Sequence, residues 1–572
     1  KVNTAGELTY MWKYQIDHMY LRYFFWNFVG RMSDVQDAEA AWFNVDKKEL
    51  DELNYKSGYA DQFPVRFFAL PLLFGLIGMI FHYQKDKKMF LVYLVLFALT
   101  GVLATLSQNQ QNPQPRERDY FYAGSFMVFS MWIGLGAYML IEQLTKKKAN
   151  TAIAGAIIAA SFVLVPLNMA MGGWKIHSRA GDYIPFDYSY NILQSTEKDA
   201  ILFTNGDNDT FPLWYLQDVM GIRRDVRIVN LSLANTLWYV DQLKNREPWG
   251  AKKLPLSFAD DSLQVEAETD PGALSYDFGE ASSLEIPVRR EILAKYTSDP
   301  TILNEGKVRM TFIGKPYKEI EGKTVYIYRV QDKVIRDILV QTKFERPIYF
   351  SNTVGPDVYC GLDNFFRLEG MAFRVCPLPP KRGSVEPIDE SIMEKCLMNQ
   401  DNSNDFHTEP NYGFKFRNLN NVGVYYDEVH RRLMNSYRLM FLTYAEYQMK
   451  EKHNKKKAID ILNKMNETIS PVQFPLSFEM EAKVARMYDD ANDRARTNEW
   501  ADKSIKSCEE LIANPALAPQ YVQYELAGRY LGPNRVLAEM YILKNDYKAA
   551  RGALERLLKA TEAFLNQNGG DQ

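Results

Sequence analysis

Four apolar runs in the first third of the chain constrain its fold more than any other sequence feature. They cover residues 67–83, 89–106, 120–141 and 151–171, and none contains Asp, Glu, Lys or Arg. Each has about the 20 residues that a helix needs to cross the hydrocarbon core of a bilayer. The sequence therefore predicts a polytopic membrane region of four helices.

The loops between these runs predict the orientation of the membrane region. Residues 84–88 (QKDKK) join the first two runs, and Lys146, Lys147 and Lys148 lie between the last two. Short loops rich in lysine stay in the cytoplasm. We therefore expect residues 33–65, the loop 107–119 and everything after residue 171 to be extracytoplasmic.

Four consecutive charges, Arg116, Glu117, Arg118 and Asp119, precede the third apolar run. One interpretation is a set of local ion pairs that is solvated by lipid headgroups. The other is an anion site, in which Arg116 and Arg118 bind phosphate oxygens while Glu117 and Asp119 orient the two guanidinium groups.

Upstream, the aromatic segment TYMWKYQIDHMYLRYFFWNFVGRMSD carries His18 and Arg22 four residues apart, on one face of a predicted interfacial helix. Both residues are second candidates for contact with a lipid phosphate. The alternative is that they only extend from an amphipathic helix towards water.

A β-α-β unit follows the membrane region. Residues 200–204 and 225–233 are predicted as buried strands, with a helix from Pro212 to Met220 between them. The turn before that helix contains Asn205, Asp207 and Asp209, which we expect at the carboxyl edge of a parallel sheet, where ligands gather. These residues either form turns and a helix cap or contact an acceptor polypeptide. No phosphate-binding glycine motif or calcium loop is present.

The rest of the chain suggests two more regions. Runs such as KVRMTFIG, KTVYIYRV and RPIYFSNTV are expected to extend the α/β domain, and three amphipathic segments after residue 421 look like tetratricopeptide-like helical hairpins. The predicted organisation is an extracytoplasmic helix and loop (1–66), membrane helices (67–175), an α/β domain (176–380), a linker (381–420) and a helical repeat domain (421–572).

The cysteine and charge content narrow the function. The four cysteines show no C-x-x-C spacing, and a disulfide between Cys360 and Cys376 or buried free thiols are both open. The histidines have no metal-ligand spacing. The net charge of −3 gives no indication of nucleic-acid binding.

The chain starts at Lys1 without a signal peptide, so we expect a processed protein or the downstream part of a longer polypeptide.

Five motifs in order, YQIDHMYLRYFFWNFVGR, RERDYFYAGSF, ILFTNGDNDTFPLWY, DVRIVNLSL and ERPIYF, carry a resemblance to a known family. The chain resembles bacterial membrane proteins, chiefly of Bacteroidota, that are related to the mammalian O-mannosyltransferase of plexin receptors. Those proteins belong to the GT-C class of glycosyltransferases, which use lipid-linked sugars.

The resemblance implies an enzyme of the bacterial inner membrane with a large periplasmic C-terminal domain. It would transfer a sugar from a polyprenyl-phosphate donor to Ser or Thr of a protein acceptor. The family's catalytic acidic residue is expected upstream of this chain, so the catalytic carboxylate is unassigned. No cofactor is identified, and a divalent metal stays open.

Two other hypotheses compete with the enzyme hypothesis. In the first, the chain is a membrane-anchored scaffold that binds partner proteins through its repeats. In the second, it is one chain of a two-chain enzyme.

Overall fold

The computed structural model describes residues 3–57, 62–146, 150–263, 274–381, 383–517, 525 and 532–568. Along the chain, an apolar helical region is followed by a region of mixed sheets and then by a helical region. This order agrees with the predicted multidomain organisation.

Within the described residues, the N-terminal region consists of helices, connecting loops and one short antiparallel ladder between β1 (Gly30–Arg31) and β2 (Val65–Arg66). A π-helical segment, Met11–Leu21, joins the first two helices into one continuous rod, and another, Val163–Leu167, joins the last two. The α-helices are α1 Thr4–Tyr10, α2 Arg22–Phe28, α3 Lys47–Ser57, α4 Leu70–Lys85, α5 Lys87–Thr100, α6 Val102–Gln108, α7 Ala123–Thr145, α8 Thr151–Phe162 and α9 Asn168–His177.

Three of the four predicted membrane spans are confirmed by length and composition. Within the described residues, the helical stretches Lys87–Gln108, Asp119–Thr145 and Thr151–His177 are long and apolar enough to cross a membrane. The first predicted span forms α4, whose 16 residues give about 24 Å of helix, less than the ~30 Å hydrocarbon core. Lys85 at the end of α4 pairs with Glu142 near the end of α7, so these two helix ends lie on the same side of the helical region.

Helices α4 and α7 cross at glycines. A Cβ atom built on Gly78 would lie 1.7 Å from the carbonyl oxygen of Trp132, and one built on Gly136 would lie 2.1 Å from that of Phe74. Only glycine allows two helix backbones to approach this closely. Dispersion contacts along this line hold α4 against the bundle.

The central region contains a five-stranded sheet with strand order β11-β12-β10-β3-β4. Strands β10, β3 and β4 are parallel, whereas β12 pairs antiparallel with both β10 and β11. The strands of the central region are β3 Ile201–Thr204, β4 Arg227–Asn230, β5 Asp277–Gly279, β6 Ser282–Pro287, β7 Lys307–Phe312, β8 Lys315–Ile320, β9 Lys323–Tyr328, β10 Ile348–Ser351, β11 Phe366–Glu369 and β12 Ala372–Val375. Its helices are α10 Ile184–Gln194, α11 Asp207–Asp218, α12 Leu237–Asn245, α13 Arg290–Leu293, α14 Pro300–Glu305, α15 Val330–Thr342 and α16 Glu390–Leu397.

The predicted β-α-β unit is present as β3, α11 and β4, and its two strands are parallel. The predicted start of the helix was wrong, because α11 begins at Asp207 and Pro212 lies inside it. Gly206, at φ 78°, turns the chain directly from strand to helix. Asp207 and Asp209 in the first turn then favour the helix start through the helix dipole.

The predicted strands between residues 307 and 354 exist, but only β10 joins the five-stranded sheet. Strand β7 pairs with β6, and β9 pairs with β5 and β8. Alternating burial along β7 shows one face packed and one face in solvent, which is typical of antiparallel hairpins. The segment predicted as a linker contains α16, and its residue Lys415 is fully buried against α10 through hydrogen bonds with Asn191.

The C-terminal region consists of helices in sequential hairpins, whose tetratricopeptide character stays a prediction. Its helices are α17 Glu428–Lys450, α18 Lys455–Thr468, α19 Phe478–Asp490, α20 Arg494–Ala513, α21 Pro533–Leu543 and α22 Tyr547–Asn568. The four cysteines of the chain are buried free thiols, so Cys360 and Cys376 are not paired in this structure.

The first helix of this region, α17, holds the N-terminal loop. The Asp34 carboxylate, which is buried, lies 3.0 Å from the Arg431 guanidinium and accepts a hydrogen bond of 3.0 Å from the Tyr425 hydroxyl. The Gln36 N–H donates to the Glu428 carboxylate at 3.1 Å. The N-terminal loop is therefore in direct contact with the start of the C-terminal helical region.

Candidate functional site

Glu117 is the centre of a hydrogen-bond network at the end of the membrane helices. Its carboxylate accepts hydrogen bonds from Arg22 Nη1 (3.2 Å) and Nη2 (2.9 Å), from the Tyr23 hydroxyl (2.6 Å) and from the Asp37 N–H (2.6 Å). Two elements that are distant in sequence, the rod that includes α2 and the loop before α7, are joined here. Of the four predicted phosphate-binding residues, Arg22 is therefore paired with a carboxylate.

The pKa of Glu117 reflects this network. Burial raises it, but the hydrogen bonds and charge of Arg22 and the bonds from Tyr23 and Asp37 outweigh burial and hold the pKa below its usual value. The Arg22 side chain is only 2% exposed. The pair is therefore charged at neutral pH and fixes α2 against the charged loop.

The other predicted phosphate-binding residues point to different partners. His18 Nε2 lies 3.1 Å from the Asp37 carboxylate. Arg118 Nε donates to the Gln114 side chain at 2.9 Å. Arg116 Nη1 donates to the Asn208 side chain at 3.2 Å, so it links the membrane loop to the first turn of α11. Among the described residues, Arg116 and Arg118 therefore have different hydrogen-bond partners.

A cavity of about 290 Å³ lies beside this network, where α9 passes α2 and the β2 segment. We call it the membrane-face cavity. Its polar lining comes from Asn27, Arg31, Asp119 and His177, and its aromatic lining includes Trp26 and Trp174. Because α9 is the last part of a candidate membrane span, this cavity lies at one end of the apolar helices.

Arg31 is the cation of the membrane-face cavity. Its guanidinium lies 3.9 Å from the centre of the Trp26 ring, and its Nη2 donates to the Asp34 carbonyl at 3.3 Å. Its Nε atom is buried and has no hydrogen-bond partner within the part of the chain that the structure describes. Burial lowers the pKa of Arg31, while the charges of Glu117, Asp34 and Asp119 oppose that effect. An anion in the cavity would supply the missing acceptor.

Asp119 is the one member of the charged quartet that lines this cavity. It is the first residue of a short 3₁₀ helix, Asp119–Tyr122, that leads into α7. The sequence named Asp119 as an orienting carboxylate but did not select Arg31. One sequence signal could have made Arg31 a candidate site residue. Trp26 and Arg31 lie five residues apart, on either side of the turn where the rod ends.

The predicted acceptor residues lie at the carboxyl edge of the parallel strands, as expected. Asn205 Oδ1 accepts a hydrogen bond of 2.8 Å from the Ser232 hydroxyl. Asp207 is exposed. Burial raises the pKa of Asp209, against hydrogen bonds from Thr353 and from the backbone of Asn205. Through Asn208 and Arg116, this edge is adjacent to the charged quartet.

No metal site is evident among the residues that the structure describes, since no three His, Cys, Asp or Glu side chains are grouped to hold an ion. The lining of the membrane-face cavity supplies the Arg31 guanidinium, the Asp119 carboxylate and two indole rings. A guanidinium beside aromatic rings is suited to an anion that is attached to an apolar group.

Comparison with known proteins relates the sheet region to one family. The sequence model of TMEM260-associated domain 2 matches residues 185–286 and residues 281–392. TMEM260 is a plexin-receptor O-mannosyltransferase. No curated protein and no solved structure matches the chain. The match extends from the start of α10 to α16 and agrees with the relationship that the motifs suggested.

Proposed function

We propose that this chain is part of a membrane glycosyltransferase that moves a sugar from a polyprenyl-phosphate carrier to Ser or Thr of extracytoplasmic proteins. The observation that carries the proposal is the membrane-face cavity, in which the Arg31 guanidinium keeps an unbonded Nε beside a membrane helix. The match to a domain associated with a protein O-mannosyltransferase supports the reaction class.

The proposed site suits the departing group of this reaction. When the acceptor hydroxyl attacks the anomeric carbon, the bond from that carbon to the carrier phosphate breaks and negative charge grows on the phosphate. A preorganised guanidinium in a partly water-free site stabilises such charge. The Arg31 guanidinium already lies against the Trp26 ring, so little reorganisation accompanies the reaction.

The carrier's lipid would reach the cavity from the side of α9. Trp174, at the cavity rim, is 74% exposed, which suits a position among lipid headgroups and acyl chains. The residues that accept the proton from the acceptor hydroxyl are not assigned in this chain. Asp119 lines the cavity and acts in this proposal as a positioning carboxylate.

The sheet and helical regions serve the acceptor in this proposal. The turn with Asn205, Asp207 and Asp209 is held next to the quartet by the hydrogen bond from Arg116 to Asn208. An acceptor polypeptide that contacts this turn would be brought to the membrane face, which provides the proximity that transfer needs. We place this face in the periplasm of a bacterium, with the helical hairpins as a binding surface for further proteins.

The test is binding of undecaprenyl phosphate to the purified chain in nanodiscs, measured by native mass spectrometry. Arg31→Gln should weaken binding by about tenfold or more, because a charge-assisted hydrogen bond is lost. Arg179→Gln is the matched control, since the Arg179 side chain is 54% exposed and forms only a long ion pair, of 3.7 Å, with Asp427.

A second pair of variants compares the sequence-predicted clamp with the cavity. If Arg116→Ala and Arg118→Ala abolish binding while Arg31→Gln does not, the phosphate binds at the quartet and the assignment to the cavity is wrong. If the wild-type chain binds no polyprenyl phosphate at all, the membrane-anchored scaffold is the better hypothesis.

A further inference from the structure

A second cavity, of about 310 Å³, lies in the sheet region away from the membrane helices. It lies between α11, α12 and the edge strand β4, and we call it the edge-strand cavity. Its aromatic and polar lining includes Trp214, Gln217 and Asp218 of α11, Trp238 and Gln242 of α12, Arg224 of the turn before β4, and Arg227 of β4. Its volume is at the lower end of the range that small-ligand sites occupy.

Arg227 is the unusual residue of the edge-strand cavity. Its side chain is 3% exposed, and its Nη2 donates to the Gln242 carbonyl at 2.9 Å. The Nε and Nη1 atoms are buried and have no hydrogen-bond partner in the described residues. Unpaired buried N–H groups of a charged side chain are costly, so the fold keeps donors here that it does not use.

The electrostatic surroundings of Arg227 also disfavour its buried charge. Burial and the nearby charge of Arg346 lower the pKa of Arg227, and the interactions with Tyr239 and Glu247 offset them only in part. Arg346 also has a buried nitrogen, Nη2, without a partner among the described residues. No carboxylate in the described chain is hydrogen bonded to Arg227. An anion in the cavity would supply acceptors for the free Nε and Nη1 of Arg227.

The walls of the cavity suggest what accompanies that anion. Trp214 is partly buried and stacks on Phe211 with 5.4 Å between ring centres. Trp238 is 60% exposed and packs at 5.6 Å against Tyr239, whose ring is buried. Aromatic walls of this kind favour an apolar or planar group next to the charged one.

We propose that the edge-strand cavity is a binding site for a small organic oxyanion, a carboxylate or a phosphate, held by Arg227 with its organic part against Trp214 and Trp238. This inference is independent of sugar transfer at the membrane face. A purely structural Arg227 would have its donors satisfied, as Arg223 does on the neighbouring turn with Asp225 and three backbone carbonyls.

The test is thermal unfolding of the full chain in detergent with inorganic phosphate or glutarate, against sodium chloride at equal ionic strength. The wild type should gain stability with at least one of the two anions, because a ligand that binds only the folded state raises its melting temperature. Arg227→Met should lose that gain, which corresponds to a 10- to 100-fold weaker affinity. Arg551→Met, at a side chain that is 81% exposed, should keep it.

The same variant separates binding from a structural role. Without added anion, Arg227→Met should melt at or above the wild-type temperature, since an uncompensated buried charge has been removed. A lower melting temperature, or an equal anion effect in wild type and Arg227→Met, would overturn the proposal, as would the absence of any anion effect in the wild type.

Trp238→Ala provides a second test at an exposed position, where folding is not at risk. It should weaken glutarate several-fold and leave inorganic phosphate unchanged, because only glutarate has a carbon chain to pack on the ring. Equal loss for both anions, or no loss for glutarate, would contradict the role of the aromatic wall.

Discussion

Replacing Glu117 by Gln should destabilise the N-terminal region strongly. The carboxylate accepts four hydrogen bonds, and its main partner, Arg22, is 2% exposed. Gln keeps one acceptor oxygen but turns an NH₂ group towards the Arg22 donors. Breaking a buried pair from one side costs about 3–5 kcal/mol. Because the Glu117 side chain is 19% exposed, we expect about 3 kcal/mol, roughly a 100-fold change in the unfolding equilibrium.

The assay is reversible unfolding in mixed micelles with increasing SDS, followed by tryptophan fluorescence. Glu142→Gln is the matched control, because Glu142 pairs with Lys85 and both side chains are substantially exposed. An exposed pair of this kind contributes less than about 1 kcal/mol. The double variant Arg22→Met with Glu117→Gln should be no less stable than Glu117→Gln alone, since the uncompensated guanidinium is gone.

The pH dependence gives an independent check. Because the folded pKa of Glu117 lies below its unfolded value, the network stabilises the fold above about pH 4.3. That contribution is lost as the pH falls through the folded pKa. If Glu117→Gln and Glu142→Gln cost the same, or if the effects of Arg22→Met and Glu117→Gln simply add, the reasoning about a buried coupled pair is refuted.

Two further predictions concern other contacts. Gly136→Val should separate α4 from α7 and lower the free energy of unfolding by more than about 2 kcal/mol. Gly134→Val is the control and should change the unfolding midpoint little, because a Cβ atom built on Gly134 has no atom within 4 Å. Equal effects of the two variants would contradict the close crossing. Burial lowers the pKa of His430, but Asp182, 2.9 Å away, and the charge of Asp427 raise it above 6.5. This stabilisation is full below about pH 6.5 and is lost as the pH rises through the folded pKa. The unfolding midpoint should therefore fall between pH 6 and 8, and less so in His430→Gln; an unchanged pH dependence in that variant would exclude His430 as its source.

Local sequence patterns were sufficient to predict those helices and strands that depend on hydrophobicity and turn residues within one segment. The apolar runs predicted the membrane helices, and two buried strands around an Asx-rich turn predicted the parallel pair β3 and β4. Strand alternation identified β7 and β9 as well, but not their partners. Pairing depends on which other strand offers a matching face, and one strand's own sequence does not specify that.

The candidate site depended on long-range pairing that no local pattern contains. Glu117 is joined to Arg22 across 95 positions of the chain, so the charged quartet could be located but not its partners. Arg31 was not selected as a site residue from the sequence, because a cation in an aromatic segment is typical of a membrane-interface belt. Only the fold shows that Arg31 borders a cavity with an unused donor. The start of α11 was misjudged because Gly206 allowed an earlier turn than Pro212 suggested.

The contact between α17 and the N-terminal loop imposes an order on the synthesis of this protein. Gln36 and Glu428, which are hydrogen bonded, lie 392 positions apart in the chain. A ribosome adds 5 to 20 residues per second, so it needs roughly 20 to 80 s to translate this stretch. During that interval the membrane helices can insert, but the Asp34 carboxylate has neither Tyr425 nor Arg431 to receive it and must stay in water. Closure of the N-terminal loop is therefore a late event, which waits for the chain to translate the first helix of its last region.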